Sequence, residues 1–160
     1  MEKAIEIFKN ALELEVQAEL FYEKASELTD DDESRMVFLE LADMEDGHAH
    51  QIVNRFKDTD FGRLFDADAW LKEVEREDDK ILDVVAVDVI AQGDMKAILK
   101  YAIKMEEDAR DNYQRLAETF TDPDDVAYCA DLAQEEQKHV NSLLDLVRSI
   151  DMDPEERPVL

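Results

Sequence analysis

Two five-residue stretches, MEDGH at 44–48 and EEQKH at 135–139, decide the fold of this chain, because each contains the motif Glu-x-x-His. On a helix, residues three apart share a face, so the carboxylate and the imidazole of each motif point the same way. The motifs are 91 residues apart, measured from Glu45 to Glu136. This spacing indicates a tandem duplication of a helical segment.

Another glutamate and a tyrosine repeat with the same offset. Glu15 and Glu106 lie thirty residues before the two motif glutamates, and Tyr22 and Tyr113 follow them after seven residues. The nearby Glu19 has no acidic counterpart in the second half, so the repeat selects Glu15 as the paired carboxylate. The repeated unit is therefore a set of candidate metal ligands with an accompanying tyrosine.

The composition favours one domain built from long helices. The chain has 160 residues, of which 45% are apolar, with three glycines and three prolines. So few turn-forming residues argue against a fold made of sheets. The single cysteine, Cys129, excludes an internal disulfide and a CxxC metal site, and we expect it to be a small buried hydrophobe.

The net charge of −25 predicts that neither nucleic acid nor an anionic membrane is a partner. No apolar run approaches the ~20 residues of a membrane span. The start, MEKAIEIFKN, lacks the apolar centre of a signal peptide, so we expect a cytoplasmic protein. The acidity can serve a solvated surface or draw cations toward a metal site. The repeated glutamates are few among the 43 acidic residues, which favours the first explanation.

Hydrophobic periodicity predicts four long helices. They cover residues 3–28, 33–57, 94–120 and 124–150. With the first turn near Asp30, Glu15 and Glu45 lie fifteen residues before and after it. In an antiparallel hairpin both carboxylates then come to the same height, about 20 Å from the turn. The second hairpin repeats this symmetry about Thr121.

Two such hairpins can pack about a pseudo-two-fold axis into an all-α four-helix bundle. Residues 1–150 are predicted to form one domain, with hairpins at 3–57 and 94–150, a connection at 58–93 and a flexible tail at 151–160. The second helix is predicted to have a broad inward face. That face comprises Met36, Leu39, Leu41, Met44, His48, Ile52 and Phe56.

The connection at 58–93 contains weaker signals. Residues 66–77 predict a short helix, and the run ILDVVAVDVI at 81–90 fits either a helix or a strand. We predict a helix there, because an isolated strand would have no partner. Trp70 is expected to anchor the connection to the bundle. A link of this length can cross the bundle or let a hairpin swap between two subunits.

The repeated donors predict a particular kind of metal centre. Four carboxylates and two imidazoles are oxygen and nitrogen donors that suit a pair of first-row ions such as iron or manganese. Their four negative charges offset two divalent ions, so the buried cluster is near neutral only when metal is bound. Open positions would remain for dioxygen or peroxide.

The same residues carry a resemblance to a known family. The segments are ELEVQAELFYEKASE at 13–27, LADMEDGHAHQI at 41–52, KMEEDARDNYQRLAE at 104–118 and LAQEEQKHVNSL at 132–143. With them the chain resembles the ferritin-like di-iron superfamily, and most closely its rubrerythrin branch. The resemblance implies a ferritin-like bundle made of two repeated helical hairpins, with a long crossover connection between them.

The resemblance also implies the ligands and the chemistry. The ligands of two iron ions, with manganese or a mixed pair as alternatives, would be Glu15, Glu45, His48, Glu106, Glu136 and His139. Tyr22 and Tyr113 would donate hydrogen bonds to ligand carboxylates and orient them. Such sites react with hydrogen peroxide or dioxygen while iron cycles between the ferrous and ferric states. We expect a homodimer.

Two departures from the family pattern affect the expected activity. Rubrerythrins usually carry a rubredoxin domain that supplies electrons; the chain lacks its cysteines, so we expect an external electron donor. Rubrerythrins also tend to have a further Glu three residues after the third-helix ligand, where this chain has Ala109. That substitution weakens the expectation of peroxidase-type iron movement and leaves room for ferroxidase or oxidase behaviour.

Simpler explanations stay open from sequence alone. The paired glutamates can be surface residues, and the paired histidines and tyrosines can be ordinary core residues. His50 has no counterpart in the second half, so we expect it at the surface. Three functions follow: a di-iron oxidoreductase, a metal-binding or sensing bundle without turnover, and a scaffold with an empty site.

Overall fold

Seven helices account for most of residues 2–76 and 84–151, the part of the chain that the computed structural model describes. They are α1 Glu2–Leu28, α2 Asp32–Phe56, α3 Asp60–Arg63, α4 Ala67–Arg76, α5 Val84–Gln92, α6 Met95–Ala117 and α7 Pro123–Asp151. The all-α prediction is confirmed for this part of the chain, and none of its helices is long and apolar enough to span a bilayer.

Capping residues fix where the long helices begin. The side chain of Asp31 accepts a hydrogen bond from the Ser34 amide at 2.8 Å, which satisfies a free donor in the first turn of α2. Asp94 caps α6 directly after Gly93, whose φ of +65° lies in the region that favours glycine. Pro123 occupies the first position of α7, where its missing amide hydrogen has no cost.

The structure differs from the predictions at the end of α6 and in the presence of α3. α6 ends at Ala117 instead of 120, because the amide of Thr119 bonds the Leu116 carbonyl three residues back and tightens the chain into a turn. α3 was not predicted: it is a single turn, capped by the Thr59 hydroxyl. The predicted helix at 81–90 is observed from Val84 onward, and residues 81–83 lie outside the described residues.

The long helices pair along the chain and then across it. α1 packs along α2, α6 packs along α7, and α1 also packs against α6. Two of the three described short helices of the connection lie along the bundle, α4 against α1 and α2, and α5 against α1 and α6. α2 and α7 lack the close backbone packing of the other pairs. The described helices therefore form an all-α bundle, as predicted.

Two apolar cores divide the bundle along its length. One core includes Phe8 and Leu12 of α1, Ile52 and Phe56 of α2, Leu116 of α6, and Cys129 and Leu132 of α7. The other includes Ala18 and Phe21 of α1, Phe38 and Leu41 of α2, Leu99 and Ala102 of α6, and Leu143 and Leu146 of α7. Each long helix therefore passes from one core to the other, and the candidate ligands lie on the interval between them.

The predicted inward face of α2 is wrong at three positions. Met36, Leu39 and Met44 are exposed by 62%, 49% and 49%. The buried stripe of α2 instead includes Phe38, and the burial of Glu45 along the same stripe turns the three apolar side chains outward. Glu45 is thus a charged residue at a buried position that hydrophobicity alone would assign to an apolar side chain.

Two further predictions for single residues are confirmed. Trp70 is half-buried and packs against the first core, with the Lys9 ammonium 4.7 Å from its ring centroid, so it ties α4 to α1. Cys129 is fully buried in the same core. The predicted tail is described only as far as Asp151, where α7 ends.

Candidate metal centre

All six candidate ligands are buried between the two apolar cores. They are Glu15 on α1, Glu45 and His48 on α2, Glu106 on α6, and Glu136 and His139 on α7. His48 is the most exposed of them at 8%, and the other five are exposed by 3% or less. An ionised group is costly at such depth unless it is paired or bound to a cation.

The six residues form two overlapping groups whose ligand atoms lie within 4.8 Å of one another. One group is Glu15, Glu45, His48 and Glu136, and the other is Glu45, Glu106, Glu136 and His139. Glu45 and Glu136 belong to both. Each group therefore has a terminal glutamate and a histidine from one half of the chain, and shares two carboxylates with the other group.

Both imidazoles turn Nδ1 toward the carboxylates. The His139 Nδ1 lies 2.9 Å from Glu45 Oε1 and 3.0 Å from Glu136 Oε2. The His48 Nδ1 lies 3.3 Å from Glu136 Oε1 and 3.6 Å from Glu15 Oε2. The two rings are nearly parallel, at 8° with centroids 5.5 Å apart. Each histidine thus contacts the shared carboxylate of the opposite half as well as that of its own motif.

The two tyrosines join the halves in a reciprocal way. The Tyr22 hydroxyl donates a hydrogen bond to Oε1 of Glu106, and the Tyr113 hydroxyl donates one to Oε1 of Glu15. Both tyrosines are almost fully buried. The sequence predicted tyrosine hydrogen bonds to the cluster, but it did not indicate that each tyrosine reaches the opposite half.

Several buried atoms of the cluster lie near other cluster atoms but make no hydrogen bond of good geometry within the described part of the chain. They are Glu15 Oε2, Glu45 Oε1, both oxygens of Glu136, and Nδ1 of His48. Buried polar atoms are nearly always satisfied in proteins. The unpaired atoms are oxygen and nitrogen donors directed at one another, which is the arrangement that a divalent cation requires. The residues therefore fit a metal site.

The shared carboxylates have raised pKa values. Burial, together with repulsion from Glu106, Glu15 and Glu136, raises the pKa of Glu45 well above 4.5. Burial and the Glu15 carboxylate raise the pKa of Glu136 to about 8. Without a cation the Glu136 carboxyl group therefore holds a proton at neutral pH, and burial and repulsion also favour the protonated form of Glu45.

The pKa of Glu15 is lowered, and the pKa of His139 is raised, so that its imidazole takes up positive charge. Burial opposes ionisation of Glu15, but hydrogen bonds with Glu45, His48 and Tyr113 outweigh it and lower the pKa of Glu15 to about 2. Burial also opposes the charging of His139, yet hydrogen bonds to carboxylates raise its pKa to about 12. In the absence of metal, protons held by the cluster therefore replace part of the missing positive charge.

A family model named Rubrerythrin matches residues 6–147, nearly the whole chain. This match decides the family. The chain belongs to the rubrerythrin family. The family is part of the ferritin-like di-iron superfamily, so the resemblance seen in the sequence is confirmed. Neither the curated proteins nor the solved structures gave a match to this chain.

The structure also places two residues, Ala109 and His50, that the sequence analysis discussed outside the ligand set. Ala109, which replaces the further glutamate, is buried in α6 one turn from Glu106. His50 lies at the surface as predicted, with a half-exposed side chain. Its ring nitrogens lie 3.2 Å from Asp46 and 3.3 Å from Glu75, a small exposed group that the sequence did not reveal because Glu75 comes from α4.

Proposed function

We propose that this rubrerythrin-family chain is a non-haem di-iron oxidoreductase that reduces peroxide or dioxygen with cycling of iron between Fe(II) and Fe(III). The observation that carries the proposal is the convergence of six buried donors, several of them unpaired, at one depth of the bundle. Family membership supports the same conclusion.

Each group of donors would hold one metal ion. Glu15 and His48 would bind one ion, Glu106 and His139 the other, and Glu45 with Glu136 both. Iron is the first choice, with manganese or a mixed pair as alternatives, because carboxylate and imidazole donors suit these ions. A pair of iron ions would supply two electrons, which with two protons convert hydrogen peroxide into two molecules of water.

The remaining chemistry belongs to the protein. Tyr22 and Tyr113 fix the orientation of Glu106 and Glu15, and burial raises the pKa of both phenols well above 10, so they act as neutral donors. The apolar cores on either side exclude water from the buried donors. We propose that an external donor in the cytoplasm returns the electrons, because the single cysteine of these 160 residues is buried.

One observation favours a second candidate, a metal-binding or sensing bundle without turnover. Ala109 places a methyl group where the family tends to have a further carboxylate, so a donor for a moving ion is missing at that position of α6. Under this alternative the cluster binds metal but does not accelerate the loss of peroxide.

Rapid mixing of the Fe(II)-loaded protein with hydrogen peroxide, without oxygen, separates the two candidates. The oxidoreductase is expected to oxidise its iron faster than the same concentration of free Fe(II), and to continue when a reductant is added. Glu15→Ala should abolish this rate, whereas Glu13→Ala, a half-buried neighbour outside the cluster, should retain it. Oxidation no faster than free Fe(II), with metal bound, would reject turnover and leave the binding bundle.

A further inference from the structure

A surface cavity of about 500 Å³ lies between α2 and α7, two long helices whose backbones are not closely packed. We call it the His48 cavity, since the ring of His48 forms part of its wall. Asp43 and Gly47 of α2 and Tyr128 of α7 also line it. None of these three residues belongs to the two ligand groups.

The His48 ring separates the cavity from the ligand cluster. One edge of the ring carries Nδ1, which faces Glu136 and Glu15 at 3.3 and 3.6 Å. The ring also lines the cavity, and the side chain is 11% exposed, against 4% for that of His139. Of the two cluster histidines, His48 is therefore the one more exposed to solvent, and it borders the cavity.

Gly47 leaves the cavity open. Among the described residues, the nearest atom to a Cβ added at this position would be the side-chain nitrogen Nε2 of Gln51, at 3.9 Å. Close packing therefore does not require glycine here. A glycine within a helix makes the helix less stable than an alanine would. The equivalent residue of the second half is Lys138, and that of Tyr128 is Val37, so the duplication is broken at both positions.

The charge of the cavity suits a cation. Carboxylates of Asp43, Asp131 and Glu135 line it. These carboxylates attract a cation, whereas an anion would be repelled.

We propose that the His48 cavity is the route by which a hydrated divalent cation reaches the ligand cluster, kept open by Gly47 and made attractive by Asp43, Asp131 and Glu135. The proposal rests on the proposed function only in requiring that the cluster binds metal. The ion enters at the His48 end, and the corresponding position at the His139 end carries the Lys138 side chain.

The test uses Co²⁺ and metal-free protein, and follows the visible absorption of bound cobalt after rapid mixing. Gly47→Leu is expected to slow association about tenfold, and to slow release into excess chelator by the same factor, so that the dissociation constant is unchanged. Lys138→Leu, at the matched position of the other half, should not slow association. Association of Gly47→Leu at the parent rate, or a change in the dissociation constant without matched rates, overturns the proposal.

A second pair of variants keeps the test independent of how well Gly47→Leu folds. Asp43→Asn combined with Asp131→Asn should lower the association rate about twofold or more at low salt, and reduce its dependence on ionic strength. Asp30→Asn combined with Asp88→Asn makes the same charge change on exposed residues of other parts of the bundle and should have no such effect. Equal rates for the two double variants contradict the proposed route.

Cobalt uptake does not depend on turnover, so the two proposals fail separately. If the parent protein takes up cobalt but does not oxidise Fe(II) rapidly, the oxidoreductase proposal fails and the cavity is still tested by the variants. If the Gly47 and Asp43 variants take up cobalt as fast as the parent, the route fails whatever the activity.

Discussion

The hydroxyl of Tyr22 donates a hydrogen bond to Glu106, a residue 84 positions further along the chain and on the other half of the duplication. Tyr113 makes the reciprocal bond to Glu15. These two bonds hold the terminal carboxylates of both ligand groups in place, and each makes the geometry of one group depend on the other half of the bundle.

Tyr22→Phe is therefore expected to weaken metal binding about 10–100-fold, the usual cost of losing a residue that orients a ligand. The measurement is competition for Fe(II) or Co²⁺ with a chelator of known affinity. Tyr113→Phe should have a similar effect, because its bond is equivalent. Unchanged affinity in both variants would mean that the hydroxyls only fill space in the core.

Glu106→Gln should remove one of two bound metal ions, since Glu106 belongs to one ligand group and not to both. The matched control is Glu107→Gln, which changes a neighbouring acid that lies outside the cluster. Metal content per chain after gel filtration gives the answer. Loss of metal from the control, or no loss from Glu106→Gln, would contradict the assignment of the donors.

The metal-free protein should lose stability as the pH rises from about 5 to about 8. The unfolded chain releases the Glu136 proton near pH 4.5, whereas the folded protein holds it to about 8. The unfolded state therefore binds fewer protons across this interval, and the free energy of unfolding falls. A fall of about 2 kcal/mol would lower the melting temperature by about 4–8 °C in a chain of this size.

Glu136→Gln provides the control for this pH dependence, because its amide does not ionise. It should reduce the fall in melting temperature and make the metal-free protein more stable at pH 8, while it removes the stabilisation by added metal. His139 and Glu19 are unchanged in the variant and keep contributions of the same sign. For His139, hydrogen bonds to carboxylates outweigh burial and raise the pKa to about 12, and for Glu19 burial and Asp46 raise it to about 7. A parent protein that is more stable at pH 8 than at pH 5 without metal would refute the assigned shift.

Gly62→Ala is expected to destabilise the fold by about 1–3 kcal/mol, as overpacking does in other proteins. An added Cβ would lie 2.0 Å from the carbonyl oxygen of Phe56, so the backbone between α2 and α3 would have to move. Gly47→Ala, where the added atom meets no close neighbour, should instead raise stability by up to about 1 kcal/mol. Urea unfolding of the two variants measures both effects; equal stabilities would contradict the contrast.

The sequence predicted the long helices because their signals are local. Periodicity, the caps at Asp31 and Asp94, and Pro123 are each visible within a few residues. The equal spacing of the glutamates about each turn placed the ligands at one height. Met36 is exposed although it is apolar, because it lies on the face of α2 opposite to the buried Glu45.

Other features of the site depend on contacts between distant elements. The exchange of tyrosine bonds between halves follows from how the hairpins face each other, which spacing within one half does not determine. The His48 cavity arises from the gap between α2 and α7. The aligned repeats show only that Gly47 of the first half corresponds to Lys138 of the second. Such asymmetries acquire meaning only when the neighbouring surfaces are known.

The most direct test of the metal centre is anomalous X-ray scattering from crystals loaded with iron, recorded at the iron and manganese edges. We expect two peaks per chain, both within bonding distance of Glu45 and Glu136, with one beside Nδ1 of His48 and the other beside Nδ1 of His139. Peaks only at surface carboxylates, or histidine side chains turned away from the shared glutamates, would contradict the account.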